Sequence, residues 1–342
     1  MRPFSKKVVY LFGTLTSTSN MNASYDINML NRDFGTAGRL AFRPGPCGEP
    51  IAVLVEQHGS CEVSLYGAQV LSYRPTGHSP VLWLAKDFLA TPPGKAIRGG
   101  IPVCWPWFGA HPAGTGAAHG FARTARWNLL KTGFDSYSTS LSLLLEDSPE
   151  TRALWPHPFR LQFDVSVGAN LKVSLTTTNT GALPFEITEA LHSYFRIKDI
   201  REAKVSGLDG VRYLDKAPGG IDAVQAGDIV FSAETDRVYV GTTGECIVDD
   251  TAIGRKIRIA REGSEAAVVW NPWIEKAARM ADLAPDDYRR FVCVETANAG
   301  GKPVVVAPGA THTMTTTISS EMFDANGKPV MGRAPRDARE TL

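Results

Sequence analysis

A two-residue alternation of apolar and polar side chains constrains the fold of this chain more than any other feature. In the segment LKVSLTTTNT, residues 171–180, leucine and valine alternate with lysine, serine and threonine. Successive side chains of a strand point to opposite faces of a sheet, so this pattern predicts an antiparallel strand with one buried face. Similar short runs occupy residues 51–57, 61–67, 69–74, 138–146, 160–168, 255–262 and 311–319.

Turn residues separate these runs, whereas helical periodicity is scarce. The triplets GAN at residues 168–170 and NTG at residues 179–181 recur at spacings typical of a sandwich or barrel. The best helical segment is residues 274–283, where Ile274 and three alanines share one face before Pro285 stops the helix. We therefore predict an all-β fold, a large antiparallel β-sandwich with few short helices.

The ends of the chain lack this alternation, and we expect one domain over residues 22–322. Residues 1–21 contain only a short apolar run, Val8–Phe12, which is too short for a membrane span and precedes no clear cleavage site. A disordered leader is expected there, with a secretory signal as the less favoured alternative. Residues 323–342 are polar and carry glycine and proline, so a mobile tail is expected.

The balance of charge argues against two classes of partner. The chain has 36 Lys+Arg against 35 Asp+Glu, and no block of like charge stands out. We expect neither a nucleic-acid nor a membrane partner. The five cysteines are scattered and include no C-x-x-C pair, which favours free thiols in a reducing cytoplasm.

Several catalytic motifs are absent from the sequence. It contains no phosphate-binding G-x-x-x-x-G-K-[ST] loop, no G-x-G-x-x-G turn, no H-E-x-x-H pair and no G-x-S-x-G elbow. The seven histidines do not fall in the paired spacings of zinc ligands. We expect no cofactor and no metal ion.

One segment, IRGGIPVCWPWFG at residues 97–109, combines a cation, a bent backbone and large aromatic rings. Its glycines and prolines prevent regular structure, so Trp105, Trp107 and Phe108 are expected on an irregular loop. Such a loop either covers a core or lines a site. The sequence leaves both interpretations open for these rings.

A second loop supplies another isolated arginine. The segment AAHGFARTARW, residues 117–127, carries His119 and Arg123 after further glycines. Arg98 and Arg123 lie in apolar surroundings, and a guanidinium matches phosphate geometry and is costly to bury unpaired. The two loops indicate an anionic ligand, with surface salt bridges as the alternative.

Two apolar runs carry groups that can exchange protons. The segment EALHSYFRIKDI, residues 189–200, is predicted to be a strand, and a hydrogen-bonded core histidine is the simpler interpretation of His192 within it. Glu295 follows an apolar run in RRFVCVETAN, residues 289–298, and a carboxylate there must be paired, hydrogen-bonded or placed at a cleft. Neither residue identifies a site alone.

Taken in order, five segments resemble the hexose-6-phosphate 1-epimerases, the sugar-phosphate branch of the aldose 1-epimerase group. These segments are IRGGIPVCWPWFG, HGFART, LHSYFRIKDI, VVWNPWIEKAARMAD and FVCVETAN, and the resemblance spans about residues 45–320. It implies a β-supersandwich that acts as a monomer without metal or cofactor on a small-molecule hexose 6-phosphate.

The resemblance also implies roles for particular residues. His192 and Glu295 match the catalytic pair, with His119 in a supporting role beside the site. Ala118 departs from the glutamine that some members carry before the H-G pair. The residues implied to contact substrate are Arg98, Arg123, Asp215 and His119, and Trp105 is expected as an apolar wall for the sugar ring.

Interconversion of α and β anomers explains why an acid and a base are needed. A base removes the C1 hydroxyl proton while an acid protonates the ring oxygen, so both must flank one carbon. Glutamate and histidine, with ordinary pKa values near 4.3 and 6.5, are expected to fit without large shifts. We expect Glu295 to be the base and His192 the acid in ring opening.

Three alternatives to this function remain open at this point. A neutral-sugar aldose 1-epimerase shares the mechanism but needs no arginine pair. A glycoside hydrolase requires two carboxylates at the bond it cleaves, and only Glu295 is convincingly placed. A non-catalytic sugar-phosphate-binding protein would keep the pocket and lose the chemistry.

Overall fold

Strands dominate the computed structural model, which describes residues 25–114, 116–324 and 328–330. The helices are α1 (Ile27–Phe34), α2 (Pro149–Leu154) and α3 (Trp273–Ala277), and short 3-10 turns occupy Pro46–Gly48, Phe88–Ala90, Ala122–Thr124, Thr251–Ile253 and Asp287–Arg290. The strands are β1 (Leu40–Pro44), β2 (Pro50–Glu56), β3 (Gly59–Ser64), β4 (Gln69–Pro75), β5 (Val103–Cys104), β6 (Asn128–Phe134), β7 (Thr139–Glu146), β8 (Phe159–Val167), β9 (Leu171–Asn179), β10 (Phe185–Ile187), β11 (Glu189–Leu191), β12 (Tyr194–Arg196), β13 (Ala203–Ser206), β14 (Arg212–Asp215), β15 (Ala223–Val224), β16 (Ile229–Val230), β17 (Thr235–Val240), β18 (Cys246–Asp250), β19 (Arg255–Glu262), β20 (Ala266–Asn271), β21 (Phe291–Asn298), β22 (Val304–Val306), β23 (Thr311–Phe323) and β24 (Pro329–Val330).

Two large sheets carry most of these strands, and their pairings are antiparallel. The ten-stranded sheet has the order β16-β13-β18-β19-β23-β9-β8-β7-β6, with β24 beside β23. The eight-stranded sheet has the order β15-β14-β17-β20-β21-β11-β5, with β12 also beside β21. Strands β1 to β4 form a third sheet, and β10 pairs with β22.

The main hydrophobic core takes side chains from both large sheets. Phe163 and Leu175 contribute from the ten-stranded sheet, and Val269 and Val294 from the eight-stranded sheet. Burial alternates residue by residue along β8 and β9, so one face of each strand lies in the core. Each fully buried side chain of this kind contributes about 1.5–3 kcal/mol of hydrophobic stabilisation.

The opposite face of β20 and β21 carries separate, smaller clusters. One contains Trp83, Tyr194, Trp270, Phe291 and Cys293, and a second contains Cys104, Ala190, Val268 and Ala297 among others. Trp270 and Val269 are neighbours in β20 yet belong to different clusters, because adjacent strand residues face opposite sides. The candidate site lies on this second face.

The all-β prediction is confirmed by the strands themselves. The eight runs with two-residue alternation form β2, β3, β4, β7, β8, β9, β19 and β23. The predicted strand over residues 189–200 is interrupted, because β11 ends at Leu191 and β12 begins at Tyr194. That interruption falls on His192.

The predicted helix over residues 274–283 is shorter than expected. After α3 the chain continues in single turns, in which the Met280 N–H donates to the Ala277 carbonyl at 3.0 Å. Met280 and Leu283 then pack against the cluster around Trp270. Tertiary packing therefore ends the helix before Pro285 is reached.

The predicted leader, residues 1–21, lies outside the described residues. Residues of the predicted tail are described in part, and Pro329–Val330 pairs with Met322–Phe323 as an added strand. The expectation of a single domain over residues 22–322 stays a prediction. No helix in the described part of the chain is long and apolar enough to cross a membrane.

Candidate active site

His192 and Glu295 lie opposite each other in the eight-stranded sheet. The register between β21 and the two short strands β11 and β12 is the same on both sides of the interruption. The flanking pairs are Leu191 opposite Thr296 and Tyr194 opposite Cys293. Residues 192 and 295 therefore occupy the next positions of one continuous register, where directly opposed side chains share a face.

Local hydrogen bonds divert the backbone at this position. The His192 N–H donates to the Pro102 carbonyl at 3.0 Å, and the Ser193 N–H donates back to the Leu191 carbonyl at 2.9 Å. The first bond continues the register between β11 and β5, and the Ser193 carbonyl still accepts from the Val294 N–H of β21 at 3.3 Å, so only the Ser193 N–H turns away from β21. The imidazole is thus presented from a break in the sheet, whereas Glu295 projects from a regular strand.

The two side chains form a buried pair. His192 Nε2 lies 3.3 Å from Glu295 Oε1, and the residues are 8% and 1% exposed. Among the described residues, His192 Nδ1 and Glu295 Oε2 have no hydrogen-bond partner. Unpaired buried polar atoms cost free energy, so these atoms identify the pair as a place where a polar ligand could bind.

Burial shifts both titrations toward the uncharged forms. It raises the pKa of Glu295 well above its ordinary value, Asp236 raises it further, and Arg123 opposes the rise. Burial also lowers the pKa of His192 well below its ordinary value, and the nearby His119 and arginines lower it further. The expectation that both groups would work near their ordinary pKa values is therefore wrong, because burial away from water destabilises both the Glu295 carboxylate and the His192 imidazolium.

Opposed shifts of this kind favour a state in which the pair holds one exchangeable proton. That proton sits either on the Glu295 carboxyl or on His192 Nε2, and the two states contain the same number of protons. A pair of this kind can accept a proton at one atom while donating one at the other. The His192–Glu295 pair is therefore suited to combined general acid and general base catalysis.

His119 lies beside the pair, as expected from the sequence. Its ring meets the His192 ring edge-on with centroids 5.9 Å apart. Its Nδ1 accepts from the Gly109 N–H at 3.3 Å, which leaves the proton of the neutral ring on Nε2. Burial, followed by the nearby Arg123 and Arg98, lowers the pKa of His119 to about 3. His119 is therefore a neutral hydrogen-bonding group at physiological pH.

Tyr194 connects the pair to the first arginine. Its ring stacks on His192 with centroids 4.8 Å apart and an interplanar angle of 10°. Its hydroxyl accepts from Arg98 Nη1 at 2.8 Å, and Arg98 Nε donates to Asp282 Oδ2 at 2.9 Å. Arg98 is thus held by two partners, one of which touches the imidazole.

The glycines before Ile101 are required by the close approach of this loop to its neighbours. Gly100 has φ +63°, and a Cβ there would lie 2.1 Å from the Val70 carbonyl oxygen. Gly99 has φ +103° and would collide with the Trp83 carbonyl oxygen at 2.6 Å. Only glycine permits both conformations, so Gly99 and Gly100 are required for the backbone path that places Arg98.

Arg98 and Arg123 line one cavity of about 750 Å³. Lys86, Lys95 and Tyr194 also line it. His192 and Glu295 are not on this wall, and Tyr194 and Arg123 are the links between cavity and pair. The two predicted arginines therefore meet in one place, as the sequence suggested.

Arg123 is held by a backbone contact. Its Nη2 donates to the Ala118 carbonyl at 2.8 Å, which leaves most of its donors available. Position 118, where some relatives of the predicted family carry glutamine, thus contacts Arg123 through its carbonyl. A change of side chain there keeps this contact.

Asp236 is a site residue that the sequence analysis missed. It lies opposite Trp270 in the β17–β20 ladder, and Trp270 lies opposite Cys293, so all three share the face of Glu295. Lys276 Nζ bonds Glu234 Oε1 at 2.7 Å and Asp236 Oδ2 at 3.4 Å. One sequence signal was available, because Asp236 alternates in phase with two valines of β17 and is a carboxylate on an apolar face.

Asp215 does not lie where the predicted sugar contact requires it. It stands opposite Arg237 in the β14–β17 ladder, and Arg237 stands opposite Val269, which belongs to the main core. Its Oδ2 accepts from Arg237 Nε at 3.3 Å. The expected contact is therefore wrong in position, since Asp215 and Glu295 are on opposite faces of the sheet.

Trp105 is also displaced from its expected role. Its side chain is fully buried in the main core, with its ring 4.6 Å from that of Phe159. Its Nε1 donates to Thr177 Oγ1 of the ten-stranded sheet at 3.0 Å. Trp105 therefore joins the two sheets and is not an apolar wall for a ligand, whereas Trp270 lies 6.0 Å from the His192 ring.

Comparison with known proteins agrees with this geometry. The family model described as aldose 1-epimerase matches residues 52–319. The chain is 37% identical over 269 residues to an Escherichia coli K12 protein provisionally named glucose-6-phosphate 1-epimerase, covering 77% of this chain and 89% of that protein. A Cenchrus ciliaris protein with the same provisional name is 37% identical over 276 residues, covering 77% and 82%.

Solved structures share the same architecture. The crystal structure of a Salmonella typhimurium protein provisionally described as a mutarotase has a TM-score of 0.76 at 33% identity, covering 82% of this chain and 93% of that one. An Escherichia coli K12 structure provisionally described as an aldose 1-epimerase has a TM-score of 0.63 at 16% identity and shows the fold alone, covering 80% and 99%. The chain belongs to the aldose 1-epimerase family.

Proposed function

We propose that this enzyme interconverts the α and β anomers of a hexose 6-phosphate, with glucose 6-phosphate as the first substrate to test. The observation that carries the proposal is the 3.3 Å contact between His192 Nε2 and Glu295 Oε1 beside a cavity that holds Arg98 and Arg123. The names of the Escherichia coli and Cenchrus ciliaris relatives support the same substrate.

The acid–base pair accounts for the bonds that change. Glu295 takes the proton from the C1 hydroxyl, the C1–O5 bond breaks as the C1 carbonyl forms, and the ring oxygen takes a proton from His192 Nε2. Rotation about C1–C2 presents the other carbonyl face, and the same steps in reverse close the ring. The C1 oxygen and the ring oxygen are bonded to one carbon, so two catalytic atoms at hydrogen-bond separation match them.

The pKa shifts suit these roles. A carboxylate whose pKa is raised by burial is a stronger base than an ordinary glutamate, and a histidine whose pKa is lowered is a stronger acid once protonated. The reactive state differs from the uncharged state only by transfer of one proton within the pair. Substrate hydroxyls that bond the unpaired His192 and Glu295 atoms would favour that transfer.

Arg98 and Arg123 are the proposed binding groups for the substrate phosphate. A dianion several bonds from C1 gives charge-assisted contacts that orient the reacting carbon without touching it. Arg123 has most of its donors available, and Arg98 is tied to the pair through Tyr194. Asp236, on the same face as Glu295, is the candidate for a contact with a sugar hydroxyl.

Exchange spectroscopy on equilibrated glucose 6-phosphate tests the proposal directly. Protein should accelerate exchange between the α and β anomeric signals over the uncatalysed rate, and Glu295→Gln should remove the acceleration. Galactose measured in parallel distinguishes a neutral-sugar epimerase, which would favour the free sugar. Binding of glucose 6-phosphate without faster exchange would identify a non-catalytic binder instead.

We also propose that the enzyme acts as a cytoplasmic monomer with no nucleic-acid partner. The five cysteines are free thiols, and four of them are buried, which suits a reducing compartment. Light scattering of the purified protein at several concentrations would report its mass. A mass that doubles with concentration would contradict the proposal.

A further inference from the structure

Lys276 lies at the edge of the site without touching the acid–base pair. It extends from α3, and its Nζ bonds Asp236 Oδ2 at 3.4 Å and Glu234 Oε1 at 2.7 Å. The Nζ also lies 5.8 Å from the centroid of the Trp270 ring. Two carboxylates thus compete for one ammonium group beside an aromatic wall of the site.

One of these carboxylates, Asp236, belongs to the ladder and acts electrostatically on Glu295. Asp236 is opposite Trp270, which shares the face of Cys293 and Glu295, whereas Glu234 precedes the first residue of β17. Asp236 is half-buried, so its charge is weakly screened by water. The electrostatic potential at Glu295 therefore depends on how strongly Lys276 pairs with Asp236 and how strongly it pairs with Glu234.

We propose that Lys276 is a positioning residue for the acid–base pair, holding Asp236 beside Glu295 and limiting its negative charge there, with Glu234 as the competing partner. The inference rests on the proposed function, since it concerns the proton that the pair exchanges with the sugar. Lys276 acts through Asp236 and is not itself assigned a contact with substrate.

Other titratable and charged groups around the pair come from separate elements and stay constant in the test. Around Glu295 they are His192 from the β11–β12 junction, Arg123 from the turn Ala122–Thr124, Tyr194 of β12, Cys104 of β5 and Cys293 of β21. Around His192 they are His119, Arg123 and Arg98. Asp236 itself is approached by Lys276, Glu234 and Asp215. Of these, Lys276 and Glu234 can be changed without removing a residue from the proposed chemistry.

The direction of the effect follows from the sign of the charges. Burial and then the Asp236 carboxylate raise the pKa of Glu295. Burial also raises the pKa of Asp236, and Lys276 opposes that rise and shields the carboxylate charge. At pH values where Asp236 is ionised, Lys276→Met leaves its charge unshielded, so protons bind the pair more tightly. Glu234→Gln frees the ammonium for Asp236, so protons bind the pair less tightly.

The test is the pH profile of kcat for anomer exchange, measured by exchange spectroscopy on glucose 6-phosphate. Lys276→Met should move the limbs of the profile upward by about one pH unit, which is a tenfold change in kcat at a fixed pH on a limb. Glu234→Gln should move them downward, and Lys276→Arg should leave them in place. Limbs that stay fixed while kcat falls equally at all pH values would overturn the inference.

A second measurement keeps this test separate from that of the proposed function. The pH titration of the His192 ring protons by NMR, without any substrate, should shift in the same directions in the three variants. If wild-type protein does not accelerate exchange, the proposed function fails while this titration still tests the coupling. If the titration is identical in Lys276→Met and wild type, the inference fails whatever the activity.

Discussion

His192 and Glu295 occupy opposed positions of one antiparallel register, with Nε2 and Oε1 3.3 Å apart. The two residues are separated by more than a hundred positions in the chain, yet the ladder pairs on either side determine their distance. The strand is interrupted at His192 and Ser193, and the same register continues beyond the interruption. The pair geometry is therefore set by the centre of a large sheet and not by a mobile loop.

The first prediction concerns the pair itself. Glu295→Gln and His192→Ala should each reduce anomer exchange by roughly 10²- to 10⁴-fold, because each removes a proton-transfer group. Exchange spectroscopy measures the loss, and circular dichroism checks the fold. Thr296→Val is the matched control, since Thr296 is the next residue, is fully buried and has an unpartnered Oγ1. Near-normal exchange in either folded pair variant would contradict the assignment.

The second prediction is the shape of the pH profile. The pair is active with one exchangeable proton, so kcat should be bell-shaped. Because the pKa of His192 is lowered, the acid limb should lie below the ordinary histidine value of about 6.5. Because the pKa of Glu295 is raised, the alkaline limb should lie well above the ordinary glutamate value of about 4.3. Saturating substrate and subtraction of the uncatalysed rate are required, and an acid limb near 6.5 would show that burial does not act on His192.

The third prediction separates phosphate recognition from chemistry. Arg98→Ala and Arg123→Ala should each reduce kcat/KM for glucose 6-phosphate by roughly 10- to 100-fold, the value of a charge-assisted contact. The loss for free glucose should be much smaller. Arg98 also bonds the Tyr194 hydroxyl, so Tyr194→Phe is the control that removes this bond while keeping the ring stacked on His192. Equal losses for both sugars would indicate that the arginine is structural.

The fourth prediction concerns a buried contact between the two large sheets. His312 Nε2 bonds Glu189 Oε1 at 2.9 Å, and this hydrogen bond raises the pKa of His312. A raised histidine pKa adds stability below the ordinary value of about 6.5, and that stability is lost as the pH rises through the folded-state pKa. Glu189→Gln should therefore reduce the free energy of unfolding by about 2 kcal/mol at acidic pH and by less at alkaline pH.

Denaturant unfolding of the two proteins across pH measures this difference. His192 and Glu295 titrate in both proteins, so their contributions cancel when the free energies are subtracted. A difference that grows with rising pH would contradict the assigned sign.

Much of the fold could be predicted because its causes are local. Alternation along residues 171–180 and the seven other runs reflects burial of one strand face, and each run forms a strand. The arginines of the two glycine loops were also found, because a guanidinium in an apolar segment needs a partner. The length of α3 could not be found in this way, since Met280 and Leu283 leave the helix to pack on residues distant in sequence.

The remaining details of the site depend on contacts between distant strands. No local pattern shows that position 192 opposes position 295 or that both side chains are buried away from water. The pKa shifts therefore could not be predicted. Trp105 lies in a segment where aromatic rings suit either a core or a site, and its indole turns to Thr177. The same limit applies to the choice of aspartate, because the face of a strand residue depends on its register.

The fifth prediction tests that choice with two substitutions of the same type. Asp236→Asn should raise KM for glucose 6-phosphate by roughly 10-fold or more, since it removes an acceptor on the Glu295 face of the sheet. Asp215→Asn should leave KM close to wild type, because Asp215 faces the other side and bonds Arg237. Both variants lose one negative charge from neighbouring strands, so a general electrostatic effect would change KM in both. A larger effect at Asp215 than at Asp236 would restore the assignment suggested by the sequence and contradict the one derived from the ladder.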